Sequence, residues 1–183
     1  MMTWIILAVV LVVTFFIAFQ YNALIRLRNG VDNSWAHVDV QLRRRYDLIP
    51  NLVETVKGYA SHEREALEAV VQARNAAVAA EGVTTQAETE NMLTGALRQV
   101  FALAESYPEL KANENFSQLQ EDLAETEDLV AYARQHYNDI VLKLNNKVET
   151  LPSNIVASIF NFKKRDYFEA EGEARGPVDV QFQ

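Results

Sequence analysis

The chain has 183 residues, no cysteine and a net charge of −8, which leaves room for one domain with a sizeable core behind an apolar N-terminal segment. The lack of cysteine excludes disulfides, zinc–thiolate sites, thiol nucleophiles and lipidation at a cysteine. With six glycines and four prolines among many Ala, Leu, Glu, Gln and Arg residues, the composition predicts an all-α protein.

The first predicted element is a transmembrane helix over residues 1–21. No Lys, Arg, Asp or Glu occurs before Arg26, and Thr14 is the one polar residue between Trp4 and Phe19. Such a length of apolar sequence is typical of a helix that spans a bilayer. Because the start carries no basic residue and no small-residue cleavage site follows, we expect the segment to be retained as an anchor rather than removed as a signal peptide.

The charges beside this span predict its orientation. No Lys or Arg precedes it, whereas Arg26 and Arg28 follow it directly. By the positive-inside rule the N-terminus is expected outside and the domain in the cytoplasm, which for a bacterial protein means a single-pass protein of the inner membrane.

Helical patterns fill residues 22–162, for which we predict a bundle of long helices. In its first helix, apolar and aromatic residues recur three or four positions apart, which gives one buried face. These residues are Val31, Trp35, Val38, Leu42, Ile49, Leu52, Val56, Tyr59, Leu67 and Val70. We expect the membrane helix to continue into this helix and to run to about residue 80, with Gly82 as the first break.

Pro50 lies inside this predicted helix and is expected to kink it. Proline has no N–H, and its ring crowds the carbonyl group four residues earlier. Asp47 and Asn51 flank Pro50, and we expect these two side chains to satisfy the backbone groups that the kink frees.

Three further helices follow. The second carries Leu97 and Val100 on its apolar face and ends before Pro108, because the residue before a proline is pushed out of helical geometry. The third begins near Asn113 or Asn115 and has an apolar stripe from Phe116 to Val148.

A short fourth helix is predicted from Ser153 to Phe160, with Ser153 as its cap. Its apolar side consists of Ile155, Val156, Ile159 and Phe160. Residues 163–183 show no helical period and predict a C-terminal tail that is extended or mobile.

Several segments resemble the signature of the LemA family. They are residues 21–29, 34–45, 47–59, 107–112, 116–119, 133–138 and 167–169. The run Asp-Leu-Ile-Pro-Asn-Leu at 47–52 is specific, because a generic bundle has no reason to reproduce it. The resemblance implies an antiparallel four-helix fold behind a membrane anchor and brings no catalytic residue and no cofactor. Its links to magnetosome membranes and to membrane zinc metallopeptidases of the stress response imply a membrane-protein partner.

No pattern in the sequence points to a catalytic, cofactor or metal site. His37, His62 and His136 lack a second ligand at the spacing of known metal motifs. Paired carboxylates such as Glu121 and Asp122 are typical of solvated helix faces. Phosphate-binding loops and nucleophile elbows are missing as well, so we interpret the chain as non-enzymatic.

A run of three arginines and a nearby tryptophan are the candidate interaction residues. These residues are Trp35, Arg43, Arg44 and Arg45. Some of the arginines are expected to pair with acids of the third helix, such as Glu121, Asp122 or Glu125, and the other interpretation is an acidic partner. Nucleic acid is not expected as a partner, because the acidic domain would be repelled by phosphates.

Two functions stay open. The first is a scaffold or adaptor that self-assembles at the cytoplasmic membrane and acts in membrane organisation or envelope stress. Homo-oligomers are expected because the stretch nearest the membrane would otherwise expose its apolar side chains, which are Leu24, Leu27, Val31, Trp35 and Val38. The second is a sensor that binds a lipid or small ligand between its helices. A large polar cavity would favour the sensor, and a continuously packed interior would favour the scaffold.

Overall fold

The computed structural model describes residues 1–169, which form six helices and no strand. The helices are α1 (Met2–Tyr59), α2 (Arg64–Ala79), α3 (Val83–Ala104), α4 (Pro108–Lys111), α5 (Glu114–Glu149) and α6 (Ser153–Ile159). The predicted all-α fold, with long helices behind an apolar N-terminal helix, is confirmed. Residues 170–183 of the predicted tail lie outside the described residues.

The first part of α1 is apolar and unburied. Phe19 keeps 56% of its surface exposed, and no residue is buried in the most apolar 18-residue window, whose mean hydropathy is 2.8. Such a window is long enough to cross the hydrocarbon core of a bilayer. Among residues 1–169, α1 is the one helix long and apolar enough to cross a membrane, which fits the predicted N-terminal anchor.

The prediction that the first helix runs to about residue 80 is wrong, because α1 ends at Tyr59. A tight turn follows, in which the N–H of Glu63 donates to the carbonyl of Ala60 (3.1 Å). The helix α2 then returns along α1, which allows Val70 to be buried. Gly58 and Ser61 gave no signal of this turn, because both residue types also occur inside helices.

One compact unit comprises Tyr46–Leu123, and we call it the four-helix unit. Its four main helical segments are the last turns of α1, then α2, α3 and the first turns of α5, and the single turn α4 joins α3 to α5. Gly82 joins α2 to α3 with a φ of 84°, a conformation that favours glycine. Pro108 starts α4, and the side-chain oxygen of Asn113 accepts the N–H of Phe116 (2.9 Å), which caps α5 near its predicted start.

The other compact unit comprises Met1–Arg45 and Ala124–Tyr167, and we call it the anchor unit. Within this unit α1 and α5 run antiparallel, because residues with higher numbers in α1 contact residues with lower numbers in α5. Three contacts show this: Gly30 against Ile140, Trp35 against Tyr137, and Arg44 against Glu125. The predicted antiparallel arrangement of the first and third long helices is therefore present in this unit.

The apolar stripe nearest the membrane span is buried within the single chain. Leu24, Val31 and Val38 are 0, 2 and 0% exposed. The expectation that a second copy must cover this stretch is wrong, because α5 is long enough to reach back along α1 and cover it. Self-association gains no support from this stretch and stays a prediction.

The helix α6 begins at Ser153 as predicted, but its packing differs. Ser153 does not cap the helix; its hydroxyl donates to the carbonyl of Thr150 (2.9 Å). The buried side chains of α6 are those of Ser153, Val156 and Ala157. Of the four residues on the predicted apolar side, Val156 alone is buried.

Residues 161–167 lack regular secondary structure and lie along α5; we call them the strap. The side-chain amide of Asn145 clamps Arg165, since it accepts the backbone N–H (2.9 Å) and donates to the carbonyl (2.9 Å). The hydroxyl of Tyr137 donates to the carbonyl of Asp166 (3.0 Å), and Lys164 pairs with Glu149 (2.7 Å). The start of the predicted tail is thus fixed to the anchor unit.

Candidate functional site

The three consecutive arginines do not form one basic patch. Neighbouring residues of a helix point about 100° apart, so the three side chains leave α1 in different directions. Arg43 is exposed and pairs with Asp39 (2.9 Å), and Arg44 pairs with Glu125 of α5 (3.3 Å). Arg45 is 3% exposed. Glu125 is one of the acids that the sequence predicts as partners of these arginines. Of the three arginines, Arg43 and Arg44 are exposed enough for an acidic partner to reach them, and Arg45 is not.

Trp35 contributes to the packing between α1 and α5. Its ring meets the ring of Tyr137 in an edge-to-face arrangement, with centroids 5.5 Å apart and planes inclined by 61°. This geometry is favourable for two aromatic rings and leaves Trp35 half-buried. An interaction role for Trp35 and the arginines stays a prediction.

Pro50 leaves the carbonyl of Tyr46 without its usual donor inside α1. The donor comes instead from α2, because Nε of Arg74 bonds to this oxygen (3.2 Å). Asp47 and Asn51, to which the sequence assigned such a repair, both lie exposed. The helix continues through Pro50 to Tyr59, and the kink itself stays a prediction.

A buried polar cluster in the four-helix unit was missed from the sequence. Glu90 of α3 is 2% exposed, and one of its carboxylate oxygens accepts the hydroxyl of Tyr46 and the side-chain amide of Gln86 (3.3 Å). The same amide nitrogen also donates to the Tyr46 hydroxyl (2.8 Å) and to the carbonyl of Ala77 (3.1 Å). A single network thus links α1, α2 and α3.

The signal for this cluster was present in the sequence. Gln86 and Glu90 are four residues apart, so they share a helix face with the apolar Ala87 and Leu93. Polar residues on an inward stripe require partners when they are buried, because an unpaired group loses its bonds to water. The geometry supports a structural role, in which the carboxylate, hydroxyl and amide satisfy one another.

The grooves of the four-helix unit are surface features. One groove, of about 560 Å³, lies between α1 and α2 with Val53 and Leu67 among its lining residues. A second one, about 420 Å³, lies between α1 and α5 and includes Asn51. Most of the side chains around both grooves are exposed, as expected for clefts on a surface rather than for an interior ligand cavity.

Three titratable groups in the part of the chain that the structure describes have raised pKa values. The hydroxyl of Tyr107 donates to Glu63 (3.0 Å), and this hydrogen bond raises the pKa of Tyr107. Burial raises the pKa of Tyr137, and the bond to Glu149 raises the pKa of Lys164. Within residues 1–169, no three His, Asp or Glu side chains lie close enough together to hold a metal ion.

Comparison with known proteins gives a consistent set of similarities. The model of the LemA family matches residues 34–182. Protein LemA of Metamycoplasma hominis is 26% identical over 163 residues, which cover 87% of this chain and 73% of that protein. Magnetosome protein MamQ 2 of Paramagnetospirillum magneticum is 22% identical, and Magnetosome protein MamQ of Magnetospirillum gryphiswaldense is 21% identical; each match covers 87% of this chain and 68% of the relative.

Proposed function

Because the chain belongs to the LemA family, we propose that it is a non-enzymatic scaffold or adaptor held at the cytoplasmic membrane by α1. The family match and the MamQ relatives support a membrane-associated protein. A scaffold needs binding surfaces at a fixed place, and it needs no reactive group. Three of the arginines are engaged in ion pairs, Arg43 with Asp39, Arg44 with Glu125 and Arg165 with Asp32.

The observation that carries this proposal is the continuity of α1. The apolar span and the helix that enters both compact units are one element, Met2–Tyr59. Within the anchor unit, a helix without a flexible linker holds the attached surface at a fixed height above the membrane, which suits a protein that organises others. The sensor alternative would call for an enclosed ligand cavity, and the grooves described above do not favour it.

The proposed orientation places the N-terminus outside and the domain in the cytoplasm, because Arg26 and Arg28 follow the span. The chain has no cysteine, so a single one at the exposed Ser117 gives an unambiguous label. A reagent that cannot cross the membrane should leave S117C unlabelled in intact cells and label it after lysis. Efficient labelling in intact cells would reverse the orientation.

A partner surface is suggested by two exposed apolar side chains of the anchor unit. Val40 of α1 is 59% exposed and Tyr132 of α5 is 73% exposed. The antiparallel register places these positions at matching heights along the two helices. Exposed aromatic residues are enriched where proteins bind one another, so a photo-reactive residue at position 132 should trap the partner in intact membranes.

The matched control is the same photo-reactive residue at Glu127, an exposed polar position of α5 that points away from position 132. Discrete products from position 132 but not from 127 would support the adaptor, and mass spectrometry would tell a second copy from a membrane metallopeptidase or another protein. If both positions give no product across growth and envelope-stress conditions, the scaffold proposal is wrong.

A further inference from the structure

An apolar patch on the anchor unit has no cover within residues 1–169. It consists of Leu151 and the outward face of α6, with exposures of 76% for Leu151, 55% for Ile155, 65% for Ile159 and 47% for Phe160. Side chains of this size rarely cluster at a water-exposed surface without a binding role. The sequence predicts α6 as an ordinary packed helix, and the structure instead turns most of its apolar side outwards.

This patch lies where the membrane span ends. The ring centroids of Phe160 and Tyr21 are 4.7 Å apart, and those of Phe162 and Tyr21 are 5.9 Å apart. Tyr21 is two residues beyond Phe19, or roughly 3 Å along the helix axis. Since α1 is unbroken here, α6 lies beside the end of the apolar stretch of α1, where the acyl chains of a membrane would meet the headgroups. Tyrosine is enriched at this depth in membrane proteins.

Positively charged side chains lie beside the patch, in a groove that Thr150, the residue before Leu151, helps to line. A shallow groove of about 530 Å³ lies between α1 and α5, and Arg26, Lys143 and Lys147 line it together with Asn146 and Thr150. Among residues 1–169 no carboxylate is paired with any of these three cations. Arg26 is seven residues beyond Phe19, or roughly 10 Å along the axis, so its long side chain can reach the headgroup layer.

The local charge is opposite to that of the chain. Residues 20–32 and 139–167 carry seven Lys or Arg and four Asp or Glu, although the whole chain has a net charge of −8. The guanidinium of Arg28 lies over the ring of Phe162 (5.6 Å), which helps to hold the start of the strap against α1. A basic and apolar surface next to a membrane span matches an anionic lipid surface in both charge and polarity.

We propose that the anchor unit has a second membrane contact, in which the outward face of α6 enters the headgroup boundary and the groove of Arg26, Lys143 and Lys147 binds the phosphates of anionic lipids. This contact rests on the membrane anchor and not on the scaffold role, so either one can fail without the other. It fixes the rotation of α1 about its own axis, because α6 meets the lipid on one side of that helix.

Depth measurements on the full-length protein in vesicles test the apolar half of the proposal. An environment-sensitive fluorophore is attached to I159C, and quenching by lipids with a spin label near the headgroup is compared with quenching by iodide in water. The matched control is E127C, since Glu127 is also exposed, lies outside the proposed partner surface and is level with about residue 43 of α1, roughly 35 Å along the axis beyond Phe19. We expect lipid quenching and protection from iodide at position 159, and the reverse at position 127.

The lipid preference tests the charged half. Retention of phosphatidylglycerol over phosphatidylcholine is measured for the wild type, for K143Q/K147Q and for R43Q/R44Q, which removes the same charge from the other end of the anchor unit. The first variant should lose roughly tenfold in preference and the second should lose little. Unchanged helicity of all the variants shows that the fold is intact.

Three results would overturn the proposal. If position 159 is quenched by iodide as strongly as position 127, the patch faces water. If it is protected from both quenchers, another protein or a second copy covers it. If K143Q/K147Q keeps the preference of the wild type, or R43Q/R44Q loses as much, the groove does not select anionic lipid.

Discussion

Buried polar side chains have different structural roles in the two compact units. In the four-helix unit, Tyr46, Gln86 and Glu90 bond to one another and join three helices. In the anchor unit, Asn145 and Tyr137 bond instead to the backbone of the strap, which has no hydrogen-bond ladder of its own. Both arrangements satisfy buried polar groups, but the first fixes helix packing and the second fixes a segment without regular structure.

The largest effect is expected from E90A, which tests the network of the four-helix unit. The substitution leaves the Tyr46 hydroxyl and the Gln86 amide short of an acceptor, and it opens a small cavity, at a cost of about 2–4 kcal/mol in the free energy of unfolding. Denaturant unfolding of the full chain, followed by circular dichroism, measures it. The control is E88A, an exposed position of α3 that should change stability by about 0.5 kcal/mol or less. Equal effects of E90A and E88A on the free energy of unfolding would contradict a structural role for the cluster.

N145A tests the clamp of the anchor unit. It removes both hydrogen bonds to Arg165 and should cost about 1–3 kcal/mol. The amide of Arg165 should exchange with deuterium faster, while amides of the four-helix unit keep their wild-type rates. N146A, at the exposed neighbouring position, serves as the control and should leave this exchange unchanged. Slow exchange at Arg165 in N145A would mean that other contacts hold the strap.

A double-mutant cycle sharpens the account of Pro50. R74M leaves the Tyr46 carbonyl without a donor and should cost about 1 kcal/mol. P50A returns an N–H four residues after Tyr46, so R74M should cost less in that background, with a coupling of about 0.5–1.5 kcal/mol. Strictly additive effects would show that Arg74 acts elsewhere than at this carbonyl.

The smallest effect concerns alkaline pH. Burial raises the pKa of Tyr137 above its ordinary value of 10.0, so the folded chain keeps the phenol proton to a higher pH than the unfolded chain does. The resulting stability is present below pH 10 and is lost as the pH rises through the folded-state value. Y137F should therefore flatten the fall in the free energy of unfolding above pH 10. An identical slope in the wild type and Y137F would contradict this origin.

Local chemistry was enough to predict several elements. The stripe from Val31 to Val56 marked the buried face of α1. Pro108 marked the break after the second predicted helix, although the short helix α4 that starts there was not predicted, and asparagine marked the cap of α5. Each of these signals lies within a few residues of the feature it determines. The uncharged N-terminal stretch is also a local signal, because its length alone matches the thickness of a bilayer.

Three features that depend on long-range packing could not be predicted from the sequence. The turn after Tyr59 exists because α2 packs against other helices, and its own residues are compatible with a continuing helix. The outward face of α6 is similar, since Ser153 and Ala157 are small enough to pack closely and leave the larger side chains outside. Arg74, which donates to the Tyr46 carbonyl, lies 28 residues away in the sequence, so no local pattern predicts this hydrogen bond.

The pairing of α1 with α5 also sets an order of events during synthesis. Arg44 and Glu125 are 81 residues apart, and Asp32 and Arg165 are 133 residues apart. At roughly 5–20 residues per second, the ribosome needs on the order of ten seconds to supply these partners. Throughout that interval Leu24, Val31 and Val38 have no α5 to cover them, while the span already holds the nascent chain at the lipid surface. The membrane-proximal half of α1 is therefore among the first segments to be made and among the last to be covered.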